Sequence, residues 1–390
     1  MRPSFDEIVD ILTSNFEFIE CIDYDDFLTY SESIGEKIIM KYPIKPKEKV
    51  KVIQKAVILD SAEKISELTI DNFSRIIETE ISNNSIKDYT LNLDKYEQKE
   101  LIRKNEFSKT FKVIEKDTNN IYAAKISNID ISQFSNEQML NIAIEFNSIS
   151  QLNHPSILRF VGFSPRSYKN EAKPVVVTEI YPERTLDDIL KMERKNITIS
   201  GWNATKRLIN IYGIASAMKY LHDYEIVHRN LIPNNIFLDK SFYPKLYNFG
   251  LCTHLLIVNS MTMQTASKIE GSPIYSAPEF LETQQHTKES DVYSFAVILY
   301  EMITREKPLS EINYFNFVSE VVEKNRRPKF NKSIQDCYKN LIEICWSHDP
   351  SERPSFEEIV DYIKNDPQFI TPDVDKKEFM EYVEKLSTII

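Results

Sequence analysis

Val227-His228-Arg229-Asn230-Leu231-Ile232-Pro233-Asn234-Asn235-Ile236 is the stretch on which the reading of this chain turns. It lies between two segments with helical apolar spacing. Upstream, Leu208, Ile211-Tyr212, Ala215 and Leu221 mark a helix. Downstream, residues 291–304 are apolar on nearly every side, which predicts a helix buried at the centre of a domain. Asn248-Phe249-Gly250 and then Gly271-Ser272-Pro273-Ile274-Tyr275-Ser276-Ala277-Pro278-Glu279 fill the interval. Asp291-Val292-Tyr293-Ser294-Phe295 opens the buried helix, and Cys345-Trp346, Asp349-Pro350 and Arg353-Pro354 come later.

Towards the N-terminus the pattern becomes strand-like. Phe111-Lys112-Val113-Ile114 and Ile121-Tyr122-Ala123-Ala124-Lys125-Ile126 are separated by the polar turn 117–120, which predicts a β-hairpin. A helix is expected over 135–152, with Ile142, Phe146, Ile149 and Leu152 on one stripe, and a further strand over 174–181. Glu145 shares its helix face with Ile142 and Ile149, so its carboxylate points towards apolar packing and needs a cation. Lys125 is the natural one.

Over residues 93–365 these ordered motifs resemble the eukaryotic protein kinases, nearest the tyrosine-kinase-like Ser/Thr group. Tyr122-Ala123-Ala124-Lys125 resembles the strand carrying the family's lysine, with Glu145 as its partner, and 227–236 matches the catalytic loop. Asn248-Phe249-Gly250 stands at the DFG position and 271–279 at the end of the activation segment. Each short match is weak alone; six in order at the right distances make the assignment. The resemblance implies an α+β, two-lobed protein-kinase fold, with a small β-rich N-lobe holding one helix at 93–180 and a larger helical C-lobe at 181–365. It implies a scaffold intact at Glu279 with Arg353 as a buried ion pair, at Asp291 bracing the catalytic-loop backbone, and at His228 and Phe249 in the core.

The positions that perform phosphoryl transfer in the family are changed. The catalytic-loop aspartate that takes the substrate proton is Asn230 here, an amide without useful basicity, and the lysine two places on is Ile232. Asn248 replaces the aspartate that holds Mg²⁺, leaving Asn235 as the one familiar metal contact. Aligning the glycine-rich loop on Val113 puts Glu106, Ser108 and Phe111 at its glycine positions, where side chains block backbone approach to phosphate. Lys125 and Glu145 can still touch phosphates, and Glu179 and Tyr181 lie on the strand that leads to the adenine hinge. On the competing view that pair only fixes the helix and Phe111 fills the empty cleft. ATP binding is therefore expected to be weak, and Mg²⁺ binding at Asn248 and Asn235 weak or absent. The implied function is a pseudokinase acting as scaffold or allosteric regulator on other signalling proteins, active kinases among them. The alternative is an active, atypical Ser/Thr kinase.

Composition bounds the rest. A chain of 390 residues with 42% apolar content can bury a large core, and its net charge of −11 disfavours nucleic acid and anionic membranes. Its longest apolar stretch, 295–300, is far short of the ~20 residues a bilayer crossing needs. No signal peptide opens the chain, and Cys21, Cys252, Cys337 and Cys345 form no CxxC, so a reducing, cytoplasmic setting is expected. None of the six glycines falls within 36–161, where the phosphate loop belongs.

The chain also repeats itself. Arg2-Pro3-Ser4-Phe5-Asp6-Glu7-Ile8-Val9-Asp10 recurs as Arg353-Pro354-Ser355-Phe356-Glu357-Glu358-Ile359-Val360-Asp361, each copy opening on a Ser-x-x-Glu capping box. Residues 1–40 are thus expected to be helical, repeating the tail of the kinase-like region as the remnant of an upstream copy. A linker with short helices is expected at 41–92, and a helical C-terminal tail at 366–390.

Overall fold

The computed structural model describes residues 90–104, 108–128, 149–180, 182, 184–248, 273–312, 316–331 and 333–388. All of these belong to one of two compact units, 68–390, the other being 1–67. The repeat at 1–40, the linker up to residue 89 and all but the end of the 135–152 helix lie outside the described residues.

Five antiparallel strands build the first lobe. They are β1 (Tyr96–Lys104), β2 (Ser108–Glu115), β3 (Ile121–Ser127), β4 (Phe160–Ser164) and β5 (Val175–Glu179), ordered β1-β2-β3-β5-β4 across the sheet. The hairpin read from the sequence is β2–β3. Its turn is closed by Glu115 N–H donating to the carbonyl of Asn120 at 2.9 Å, with Asn119 at φ +57°, a left-handed conformation that asparagine tolerates. The strand expected at 174–181 is β5. Val113, Ala124, Val175 and Val177 pack with Leu93 and Tyr96 as this lobe's core.

The second lobe is helical apart from a small sheet of β6 (Arg184–Thr185), β7 (Ile236–Leu238) and β8 (Pro244–Leu246). Its helices are α1 (Leu186–Arg194), α2 (Ala204–Asp223), α3 (Pro278–Thr283), α4 (Lys288–Thr304), α5 (Asp336–Cys345), α6 (Phe356–Asn365) and α7 (Lys376–Ser387). Helix α4 begins at a reciprocal cap between Thr287 and Ser290 and is buried almost all round, as its apolar run requires. Ser355 and Glu358 form the capping box that opens α6, and Phe356 then packs edge-on against Phe295 of α4 at 5.5 Å. Among the described residues no helix is long and apolar enough to cross a membrane.

Two buried ionic contacts tie this lobe together. Arg353, its side chain fully buried, donates to both carboxylate oxygens of Glu279 at 2.6 and 2.8 Å. Near the end of α4, Glu301 accepts from the Tyr275 hydroxyl at 2.8 Å and from Arg194 of α1 at 3.5 Å, with Asp187 and Lys307 also facing it. Burial pushes the Glu301 carboxyl up to about 7, because desolvation outweighs these donors. Its folded-state value lies above the unfolded one, so the folded state binds the extra proton between about pH 4.5 and 7. Stability from this group is complete below that window and is lost as pH rises through it. Glu301→Gln is therefore expected to match the parent's melting temperature near pH 5 and to exceed it at pH 8. A Tm difference that is flat across that range would remove Glu301 as the cause.

Candidate functional site

The site is built where the two lobes face each other, and strand pleat decides which side chains enter it. Counting back from the turn, Lys112 pairs with Ala123, Thr110 with Lys125 and Ser108 with Ser127; cross-strand partners share a face. Ala123 packs against Leu158 and Phe237, with Tyr247 beside them, so this face looks onto the second lobe. Phe111 pairs with Ala124, which belongs to the first lobe's core. Phe111 therefore points away from the cleft and does not fill it; Phe237 and Tyr247, rings 5.8 Å apart, take that space.

The same register shows which way the residues of the phosphate-loop alignment face. The β1–β2 turn spans 105–107, and Phe111 sits well inside β2. The residue facing the cleft opposite the lysine is Thr110, 4% exposed, and not Val113, which is in the core. Ser108 opens β2 as a buried residue. Glu106 is in the turn, outside the described residues. Sequence reasoning missed Thr110, although the 117–120 turn fixes the register that reveals it.

Lys125 reaches down from β3 and donates to Asn248 Oδ1 at 2.8 Å, with its ammonium 5.4 Å from the Tyr247 ring centroid. Asn248, just past β8, holds a left-handed φ of +64°. Glu145 and Tyr181 lie outside the described residues, as do Phe249 and Gly250. Glu179, at the end of β5, turns its carboxylate to the second lobe. It accepts from Lys245 of β8 at 3.0 Å and from the Arg159 amide at 3.1 Å.

Below the cleft, the 227–236 loop is clamped by Asp291. Its carboxylate accepts from the backbone amides of His228 at 2.7 Å and Arg229 at 3.0 Å, while His222 Nε2 lies 3.0 Å away. Arg229 is held at φ +68°, a costly conformation for a residue with a side chain. Burial lowers the His228 pKa to about 4, so its ring is neutral near pH 7. Asn230 is half-buried, and its carbonyl accepts from Asn235 Nδ2 at 2.9 Å. Ile232 precedes a short 3₁₀ turn, Pro233–Asn235, and its carbonyl accepts from the Asn235 amide.

This arrangement, a five-stranded lobe carrying Lys125 over a loop braced from the helical lobe by Asp291, coincides with a match of residues 96–363 to the family described as "Protein kinase domain". The chain belongs to the protein kinase family. Its resemblance to the tyrosine-kinase-like Ser/Thr group stands with that. The chain is 35% identical over 242 residues to "Probable serine/threonine-protein kinase drkC" of Dictyostelium discoideum, covering 62% of this chain and 30% of that protein. It is 31% identical over 231 residues to "Serine/threonine-protein kinase CTR1" of Arabidopsis thaliana, covering 59% and 26%. "Dual specificity protein kinase shkC" of Dictyostelium discoideum is 30% identical over 219 residues, covering 55% and 41%. The chain thus spans less than half the length of these relatives.

Within the kinase domain the Asp291 clamp is the contact whose loss is easiest to quantify. Asp291→Ala strands one buried and one half-buried backbone amide at ~1–3 kcal/mol each. A loss of about 2–5 kcal/mol in unfolding free energy is expected in urea titration. A loss under about 1 kcal/mol would show that the loop holds its shape without the clamp.

Proposed function

We propose that this kinase domain is a pseudokinase: a catalytically inactive member that works in the cytoplasm as a scaffold or allosteric regulator of other signalling proteins, active kinases among them. The observation that carries the reading is the Lys125–Asn248 hydrogen bond. The cation that would meet nucleotide phosphates is engaged by a neutral amide at the position where a magnesium-binding carboxylate belongs. Asn235, the other familiar metal contact, donates its amide to the Asn230 carbonyl. Phe237 packs directly with Ala123 and Leu158, so side chains occupy space between the sheet and the floor of the cleft. This donor set does not fit a magnesium nucleotide.

The chemistry points the same way. Asn230 offers no proton acceptor, and loss of a positioned base costs ~10²–10⁴ in rate. Ile232 supplies no charge to a moving phosphoryl group, and the three glycine positions carry side chains. Such losses fall on one functional unit and do not simply multiply. The second reading, an active atypical Ser/Thr kinase, is favoured by the names of the relatives and by the preserved Glu279–Arg353 and Asp291 contacts. Those contacts hold the fold and take no part in moving phosphate.

Radiolabelled ATP with a general protein substrate separates the two. The unmodified chain is expected to give no more phosphoprotein than Lys125→Met, and millimolar ATP with Mg²⁺ is expected to leave its melting temperature unchanged. Turnover by the unmodified chain that disappears in Lys125→Met would establish the active reading.

A further inference from the structure

The family match ends at residue 363, yet the C-terminal segment beyond it is as deeply buried as the core. Helix α7 lays Phe379, Tyr382, Val383 and Leu386 against the second lobe, each no more than 3% exposed. Asp375 caps it by accepting from the amides of Lys377 and Glu378. Phe379 meets Tyr212 of α2 edge-on at 5.7 Å, and Tyr382 packs on Tyr243 at 4.8 Å.

Gly213 shows how closely the lobe is fitted to this helix. It stands in the middle of α2, where glycine costs about 1 kcal/mol against alanine. An added Cβ would lie 2.3 Å from the Tyr382 hydroxyl and 2.6 Å from Pro244. In a chain with only six glycines, one sits in a helix interior at the point where the tyrosine enters.

The Tyr382 hydroxyl then reaches a route to the cleft. It hydrogen-bonds Ser156 Oγ at 2.7 Å, and Ser156 is fully buried in the loop that leads into β4. The Ser156 carbonyl accepts from the Leu246 amide at 2.7 Å, and the Leu246 carbonyl accepts from the Leu158 amide at 2.9 Å. Leu246 ends β8, and two residues on is Asn248, which receives the Lys125 ammonium. Tyr382 also lies against the start of β8, through Tyr243 and Pro244.

We propose that α7 is a strap on the cleft: seated, it holds β8 in the position in which Asn248 meets Lys125; lifted, it releases that contact. The inference goes beyond the pseudokinase reading and holds whether or not the cleft transfers phosphate.

The test uses the full chain and trace acetylation by acetic anhydride, read by mass spectrometry, with Lys219 and Lys324 as internal references. Tyr382→Phe keeps the ring and removes its bond to Ser156, leaving a buried hydroxyl short of a partner. Lys125 labelling is expected to rise about fivefold or more while the references stay constant. Gly213→Ala, which drives a methyl into Tyr382, is expected to do the same if it folds. Because coupling between two sites is reciprocal, Asn248→Ala should speed amide exchange in 376–387 relative to α4. Unchanged Lys125 labelling in Tyr382→Phe overturns the proposal. So does a rise shared with Lys219 and Lys324, which would signal general loosening, or exchange in 376–387 that ignores Asn248→Ala.

Discussion

A single buried carboxylate organises the loop on which this fold is recognised. Asp291 is 1% exposed, and a bare charge at that depth would be prohibitive. It is tolerated because two backbone amides and a histidine nitrogen surround it. That exchange works in both directions. The amides of His228 and Arg229 find their acceptor in Asp291, and that acceptor holds the left-handed Arg229 in place. Since Asp291 belongs to the most buried helix of the lobe, the loop is positioned by the core and not by any ligand. The scaffold can therefore stay whole while the side chains that face the cleft change.

The same logic separates the contacts that hold the domain from those that define its chemistry. Arg353 and Glu279 form a buried bidentate pair, the geometry that offsets desolvation best. Neither residue faces the cleft through the atoms described, and both match the family pattern. Asn230, Ile232 and Asn248 depart from that pattern. A substitution from aspartate to asparagine preserves shape and one acceptor oxygen while removing the negative charge, so it changes chemistry with little cost to packing.

Much of this is legible in the sequence because it depends on ordered motifs and on periodicity. The all-round apolar run at 291–304 can only be a central helix, and the polar turn at 117–120 can only close a hairpin. Facing is harder to read. Motif spacing puts Phe111 in the cleft and makes Val113 the alignment anchor, yet one residue of pleat sends both to the opposite side of the sheet. Phe237 and Tyr247 carry no signal of their own, because an aromatic residue beside a strand looks the same whether it packs a core or closes a cleft. The seating of Tyr382 against Gly213 is hidden for another reason: it joins positions 169 residues apart, and no local pattern records such a contact.

The asparagines also satisfy polar groups of the cleft from within the chain. In a transfer site, lysine, carboxylate and amide groups are aimed at phosphate and metal, so each is under-satisfied when those are missing. Here the polar groups answer one another. Asn248 offers its carbonyl oxygen to Lys125 without introducing a second charge, and Asn235 gives its amide to the backbone of Asn230. An amide donates and accepts, whereas an ionised carboxylate only accepts, so asparagine is the side chain that lets such a site satisfy itself. Hydrogen bonds to neutral amides are weaker than those to charged groups, so the exchange of carboxylate for amide trades strength for mutual satisfaction.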